Sequence, residues 1–253
     1  MLFDTSCPVD DESREWIERK FAWMLQTFGS EIVYPRPVIE PTSRFFPNAY
    51  HGEWDDIEDL VSRVCEFMRV DPQRITLQTF ANTDAAIRSQ PFVQAGTLSE
   101  EGAAGLYFDD NGSPIIALEE SQLADPLAVV ATAAHELGHV RLLGDKVIPP
   151  DTEDHEPLTD LLTVFHGLGI FTGNSAVRFT KWQDGDWHGW SSSRSGYLSE
   201  EQFGFAIALY AWLRGEHRPG WAEYLNTSVR EYFQRSEKHL RKTPPRDLQP
   251  LQL

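Results

Sequence analysis

The stretch from Asp125 to Gly144 constrains the rest of the chain more than any other. It runs Asp125-Pro126-Leu127-Ala128-Val129-Val130-Ala131-Thr132-Ala133-Ala134 and then His135-Glu136-Leu137-Gly138-His139. Asp125 suits a helix N-cap, and Pro126 suits the first helical position, where its missing N–H leaves no bond unmade. Gly144, just past Leu142-Leu143, suits the end of the helix. Apolar residues fall on every side, which marks a helix inside a core rather than on a surface. Yet two imidazoles and a carboxylate sit in its middle. Burying such groups is costly unless something pairs with them, and a metal ion is the most effective partner. At i and i+4, His135 and His139 project from one face, one turn apart, as a tetrahedral zinc site requires. Glu136 sits one residue further round, placed to hold a water at the metal without ligating it.

These residues resemble a known pattern. His135-Glu136-Leu137-Gly138-His139 resembles the HExxH signature of the zincin metallopeptidases. Glu156-Pro157-Leu158-Thr159-Asp160 resembles the ExxxD half of the glutamate-zincin (thermolysin-like) pattern. The resemblance implies His135, His139 and Glu156 as ligands of Zn2+, Glu136 as general base, and Asp160 as the acceptor that orients a ligand histidine. The spacing agrees, because carboxylates four apart at a helix start share a face. A ligating histidine usually gives its other N–H to such a group. The link from Val140 to His155 is shorter than in the large peptidases, so Glu153, Asp154 and His155 stay open as alternative third ligands. The similarity covers this central stretch alone.

A chain of 253 residues is one large domain or two small ones, here divided into a helical and extended portion, 1–98, and a metal-binding portion, 99–253. The net charge of −17 argues against nucleic acid or an anionic membrane as the main partner. A local basic patch fits best in the C-terminal helix. Met1 to Cys7 has neither the basic start nor the apolar core of a signal peptide, and no apolar run reaches membrane-spanning length. Cys7 and Cys65 read as free thiols in a reducing cytoplasm.

The remaining elements follow from periodicity and punctuation. Trp16, Ile17, Phe21, Met24, Leu25 and Phe28 recur at helical spacing over 11–28, and Gly29 ends that run. The proline-rich segment 31–51 predicts extended chain, with a short strand at Ile32-Val33-Tyr34. A second helix is expected over 55–70. The acids Glu53, Asp55, Asp56, Glu58 and Asp59 read as its solvated start, since their spacing lacks the glycine and ligand alternation of a calcium loop. Strands are expected at 74–80, 105–108 and 114–118, the last two joined by a hairpin at Asp109-Asp110-Asn111-Gly112. By resemblance to zincins, the strand ending at Leu118 is the candidate edge for an added peptide strand, with an ordinary structural hairpin as the alternative. Beyond Phe165 the helix should break at Gly167 and Gly169. The segment 171–197 should be a loop holding Trp182, Trp187 and Trp190, with Tyr197 or His188 as donor to a developing oxyanion. Helices close the chain over 199–214 and 221–241, followed by a frayed tail. His217 and His239 read as surface residues.

The expected fold is α+β, mainly helical, with a small antiparallel sheet packed on the central metal helix. The expected function is that of a zinc-dependent hydrolase, a metallopeptidase acting on a peptide or protein substrate. The alternative is a non-catalytic, zinc-stabilised binding or regulatory protein, in which a fourth protein ligand fills the position a water would take. Hydrolysis of a non-peptide amide is a third possibility.

Overall fold

Where the sequence switches between helical and alternating apolar spacing, the chain switches element. The computed structural model describes residues 6–81, 104–110, 112–181 and 197–251. It is mainly helical with one small sheet. Its residues divide into two compact units, and the chain passes back and forth between them.

The first unit comprises Met1–Glu40, Glu156–Ala176 and Gly196–Leu253. Helix α1 (Asp11–Phe28) starts on Asp10, whose side chain accepts from Ser13 N–H, and stops at Gly29, which has φ +88. Its inward stripe of Ile17, Phe21 and Met24 is fully buried. The predicted strand at Ile32-Val33-Tyr34 is instead a single 3-10 turn, Ser30–Ile32. The N–H groups of Val33 and Tyr34 both donate back to Ser30 O at 3.0 Å, so they are spent locally and form no ladder. Arg214 then donates to the carbonyls of Val33 and Arg36.

Helix α6 (Glu200–Leu213) begins at the expected capping box of Ser199 and Gln202 and is apolar almost all round. It packs mainly on α7 (Thr227–Lys242). The crossing depends on Gly204, because a Cβ there would lie 2.4 Å from Tyr232 Cβ and 2.9 Å from the Phe233 backbone nitrogen. The single helix expected over 221–241 is two pieces: a 3-10 turn, Gly220–Tyr224, and then α7, which starts afresh on Asn226. The asparagine side chain accepts from Val229 N–H at 2.9 Å and so resets the helix. The tail expected to fray is tied down as far as Leu251, since Leu248 is buried and Leu251 N–H donates to Leu213 O at 2.7 Å.

The second unit comprises Pro41–His155 and Val177–Ser195. Helix α2 (Trp54–Met68) buries Ile57, Leu60, Val61, Val64, Phe67 and Met68, as its spacing predicts. Its acids serve the helix start: Asp56 accepts from His51 N–H at 2.7 Å, and Asp59 accepts from the Asn48 amide at 2.9 Å.

Three strands follow: β1 (Thr76–Phe80), β2 (Gly105–Asp110) and β3 (Ser113–Glu119). The β2–β3 hairpin forms where expected, with Asp110 paired to Ser113 and Gly112 at φ +91. The sheet is not purely antiparallel. Its order is β1-β3-β2, with β1 parallel to β3. Consequently the strand ending at Leu118 is the centre of the sheet, and β1 and β2 are its edges among the described residues. The long connection after Phe80 frees β1 to pair in parallel, which no tight turn permits. Helix α3 (Pro126–His139) packs against α2, β2 and β3, and continues into one π turn, Val140–Gly144. Its predicted cap is present, Asp125 accepting from Leu127 and Ala128 N–H. Among the described residues no helix is long and apolar enough to cross a membrane.

Candidate metal centre

Every residue of α3 from Ala128 to His139 is buried, so its polar side chains face the interior with little access to water. His135, Glu136 and His139 are 1%, 5% and 6% exposed. The two histidine Nε2 atoms are 3.2 Å apart, with their rings nearly perpendicular at 82°. Tetrahedral zinc with Zn–N bonds of about 2.05 Å would hold two such atoms about 3.3 Å apart, so the pair already has the required spacing.

Helix α4 (His155–Phe165) follows, with Glu156 in its first turn. One ligand atom from each of His135, His139 and Glu156 falls within 4.8 Å of the others. Among the described residues this is the group of that kind, and it includes none of Glu153, Asp154 or His155. The His155 ring instead lies beside His139, with centroids 5.7 Å apart. Two imidazoles and one carboxylate match the donor set of a zinc site that keeps an open position. The residues fit the metal.

Two features on β2 escaped the sequence reading. Gly105 abuts α3 so closely that a Cβ would lie 2.4 Å from Thr132 Cγ2 and 2.6 Å from Glu136 Oε1. The Glu136 carboxylate is thus held against strand backbone. Thr132, one turn before Glu136, donates to Gln122 Oε1 at 2.7 Å, and the Gln122 amide donates to Ala104 O. This chain ties the start of β2 to the helix one turn before Glu136. Tyr107, two residues on, stacks on His139 with centroids 5.9 Å apart and planes at 20°. Burial, with Asp109 and Asp145 nearby, pushes its phenol up to about 12, so the ring stays neutral. A glycine opening a strand is the one sequence signal that marked such a close approach.

Asp160, one turn beyond Glu156, is fully buried, and its Oδ2 accepts from Leu198 N–H at 2.9 Å. That bond anchors the chain next to Tyr197, which is half-buried. His188, Trp182, Trp187 and Trp190 lie outside the described residues. The loop expected to begin at 171 does not: Gly169–Lys181 is helix α5, with Ile170, Phe171 and Ala176 buried. The break at Gly167, where φ is +85, is present, but the chain turns straight into the next helix. Asn174 is structural there, pinning Tyr224 O and Asn226 N–H at 2.8 Å each. Cys7 and Cys65 are both free thiols, and burial pushes Cys65 up to about 12.

No protein-family model matches the sequence, and no curated protein or solved structure matches it either.

Proposed function

We propose that the chain is a zinc-dependent hydrolase, a metallopeptidase that cleaves peptide or protein substrates. The observation that carries the reading is the convergence of Glu156 with His135 and His139 within 4.8 Å, the two histidines lying on a buried helix that also presents Glu136. His135, His139 and Glu156 hold Zn2+. When bound, zinc lowers the pKa of a water and polarises a carbonyl. Glu136 takes the proton of the attacking water and passes it to the leaving amine. Burial at 5% exposure and the contact with Gly105 keep that carboxylate in one place. Asp160 orients a ligand histidine, and Tyr197 or His188 donates to the developing oxyanion. The bond from Leu198 N–H to Asp160 supports Tyr197, since it fixes the adjacent backbone. An extended peptide pairs with the outer edge of β2, whose first residue touches Glu136.

Among the described residues three protein donors converge rather than four, which favours this reading over a zinc-stapled binding module, whose site would be closed. Cytoplasmic localisation belongs to the same proposal, resting on two unpaired thiols. Elemental analysis of purified protein tests the centre. One zinc per chain is expected, lost in Glu156→Ala and kept in His155→Ala. Glu136→Gln should keep the metal and abolish hydrolysis of a peptide library. A Glu136→Gln protein that still turns over removes the general-base assignment, and wild type that takes up no zinc removes the whole reading.

A further inference from the structure

The chain carries 22 lysines and arginines against 39 acidic residues, so a place where cations outnumber acids runs against its average. One such place is a cavity of about 680 Å³ between the 218–223 turn and the outer face of α7. Its charged lining is Arg218, Arg230, Lys238 and Arg241 against Glu223 and Glu237. Glu237 is already committed, accepting from His217 Nδ1 and from Arg218 N–H at 2.6 Å each. Arg241 donates to the other ring nitrogen of His217 at 3.2 Å, which makes a fixed frame of turn and helix.

The ordinary explanation for basic residues on a helix is its dipole, which favours cations in the last turn. That accounts for Arg241 and in part for Lys238. It fails for Arg230, which stands in the first turn of α7, where a cation is unfavourable, and for Arg218, which is not on the helix. Arg218 also has φ +48, a backbone conformation that non-glycine residues rarely adopt. Its side chain is thereby carried to the cavity rim by a turn that Glu237 holds shut. A concave site whose lining carries a surplus of cations, here four against two acids, favours anions, and guanidinium groups match phosphate oxygens in pairs.

We propose that this cavity binds a small molecule carrying two or more phosphate groups, independently of the metal centre. Arg218 and Arg230 contact the phosphates from opposite walls, and Lys238 and Arg241 complete the positive lining. The test is calorimetric titration of the full chain with inorganic pyrophosphate, alongside inorganic phosphate. One saturable site is expected, tighter for pyrophosphate and weakened by added salt. Arg230→Gln and Arg241→Gln should each weaken binding about tenfold, the loss of one charge-assisted hydrogen bond. Arg44→Gln, on the 41–45 segment, should leave it unchanged. Because pyrophosphate also ligates zinc, binding that survives in the Arg230→Gln/Arg241→Gln double variant lies elsewhere and overturns the proposal. Absence of saturable binding in wild type overturns it too. If the double variant fails to fold, Lys238→Gln, at a partly exposed position, gives the same readout.

Discussion

Helices α3 and α7 spend their polar residues in opposite ways. From Ala128 to His139 the whole of α3 is buried, whereas α7 buries only Val229, Phe233, Ser236 and Leu240. A charge on the open face of α7 is hydrated without a ligand, so leaving that site empty costs the fold little. His135, Glu136 and His139 have lost most of their water, so a metal bound there, as proposed, would stabilise the fold. Both helices carry ionisable side chains, and what separates the two proposed sites is how much water those side chains keep.

The largest test of that contrast is removal of the ligands. With zinc held at about 1,000 times its dissociation constant, the linkage is worth about 4 kcal/mol. Chelation should therefore lower unfolding stability by about that much in urea titrations. Pyrophosphate at a few times its dissociation constant should raise it by only about 1 kcal/mol. A chelator effect no larger than the pyrophosphate effect breaks the comparison. So does a chelator effect that fades with added salt, since a buried centre is poorly screened.

A second test uses two glycines at close approach. A Cβ on Gly204 meets backbone of α7, the Phe233 nitrogen at 2.9 Å, and backbone moves only with the helix. Gly204→Ala should cost about 3 kcal/mol by overpacking. A Cβ on Gly105 meets the ends of Thr132 and Glu136, which yield more readily, so about 1–2 kcal/mol is expected. The functional order should invert. Gly105→Ala displaces Glu136, the proposed general base, and should cut hydrolysis far more than it cuts zinc content, whereas Gly204→Ala should spare both in whatever fraction folds. Equal loss of zinc and turnover in Gly105→Ala would leave Gly105 with a packing role only.

What the sequence revealed, and what it hid, follows the distance over which each feature is decided. Helix α1 was readable because its apolar stripe keeps helical spacing up to Gly29, which ends it. The spacing of His135, Glu136 and His139, and of Glu156 and Asp160, is set by single helical turns, so both faces were visible from the chain. The β2–β3 hairpin was announced by its own turn. By contrast, the parallel pairing of β1 with β3 joins segments separated by the whole 81–112 stretch, and no local signal carries it. That is why the central strand was expected at the edge. Asn226 was readable as a cap, but the apolar residues from Trp221 to Leu225 continued a helical spacing across it. The bond between Asp160 and Leu198 and the contact of Gly105 with Glu136 belong to tertiary structure, and only a folded chain displays them.

The smallest effect separates charge from packing within one unit. Helices α1 and α7 both begin on a side-chain cap, but Asp10 is a carboxylate and Asn226 a neutral amide. Removing either cap with alanine should cost about 1 kcal/mol at neutral pH. The hydrogen bond from Ser13 N–H, acting against slight burial, holds the Asp10 carboxyl below its ordinary value of 3.8. Its folded-state pKa therefore lies below its unfolded one, and the folded state binds fewer protons between the two. The stabilisation from Asp10 is fully present above the unfolded value and is lost as pH falls through the folded value. The cost of Asp10→Ala should accordingly shrink as urea titrations are taken from neutral pH to well below the ordinary carboxyl value of 3.8. The cost of Asn226→Ala has no titrating group behind it and should not change. If both costs shrink together, acid is loosening the unit as a whole. A cost for Asp10→Ala that survives in acid would instead assign the cap to its hydrogen bond from Ser13 N–H, because a protonated carboxyl can still accept while its charge cannot act.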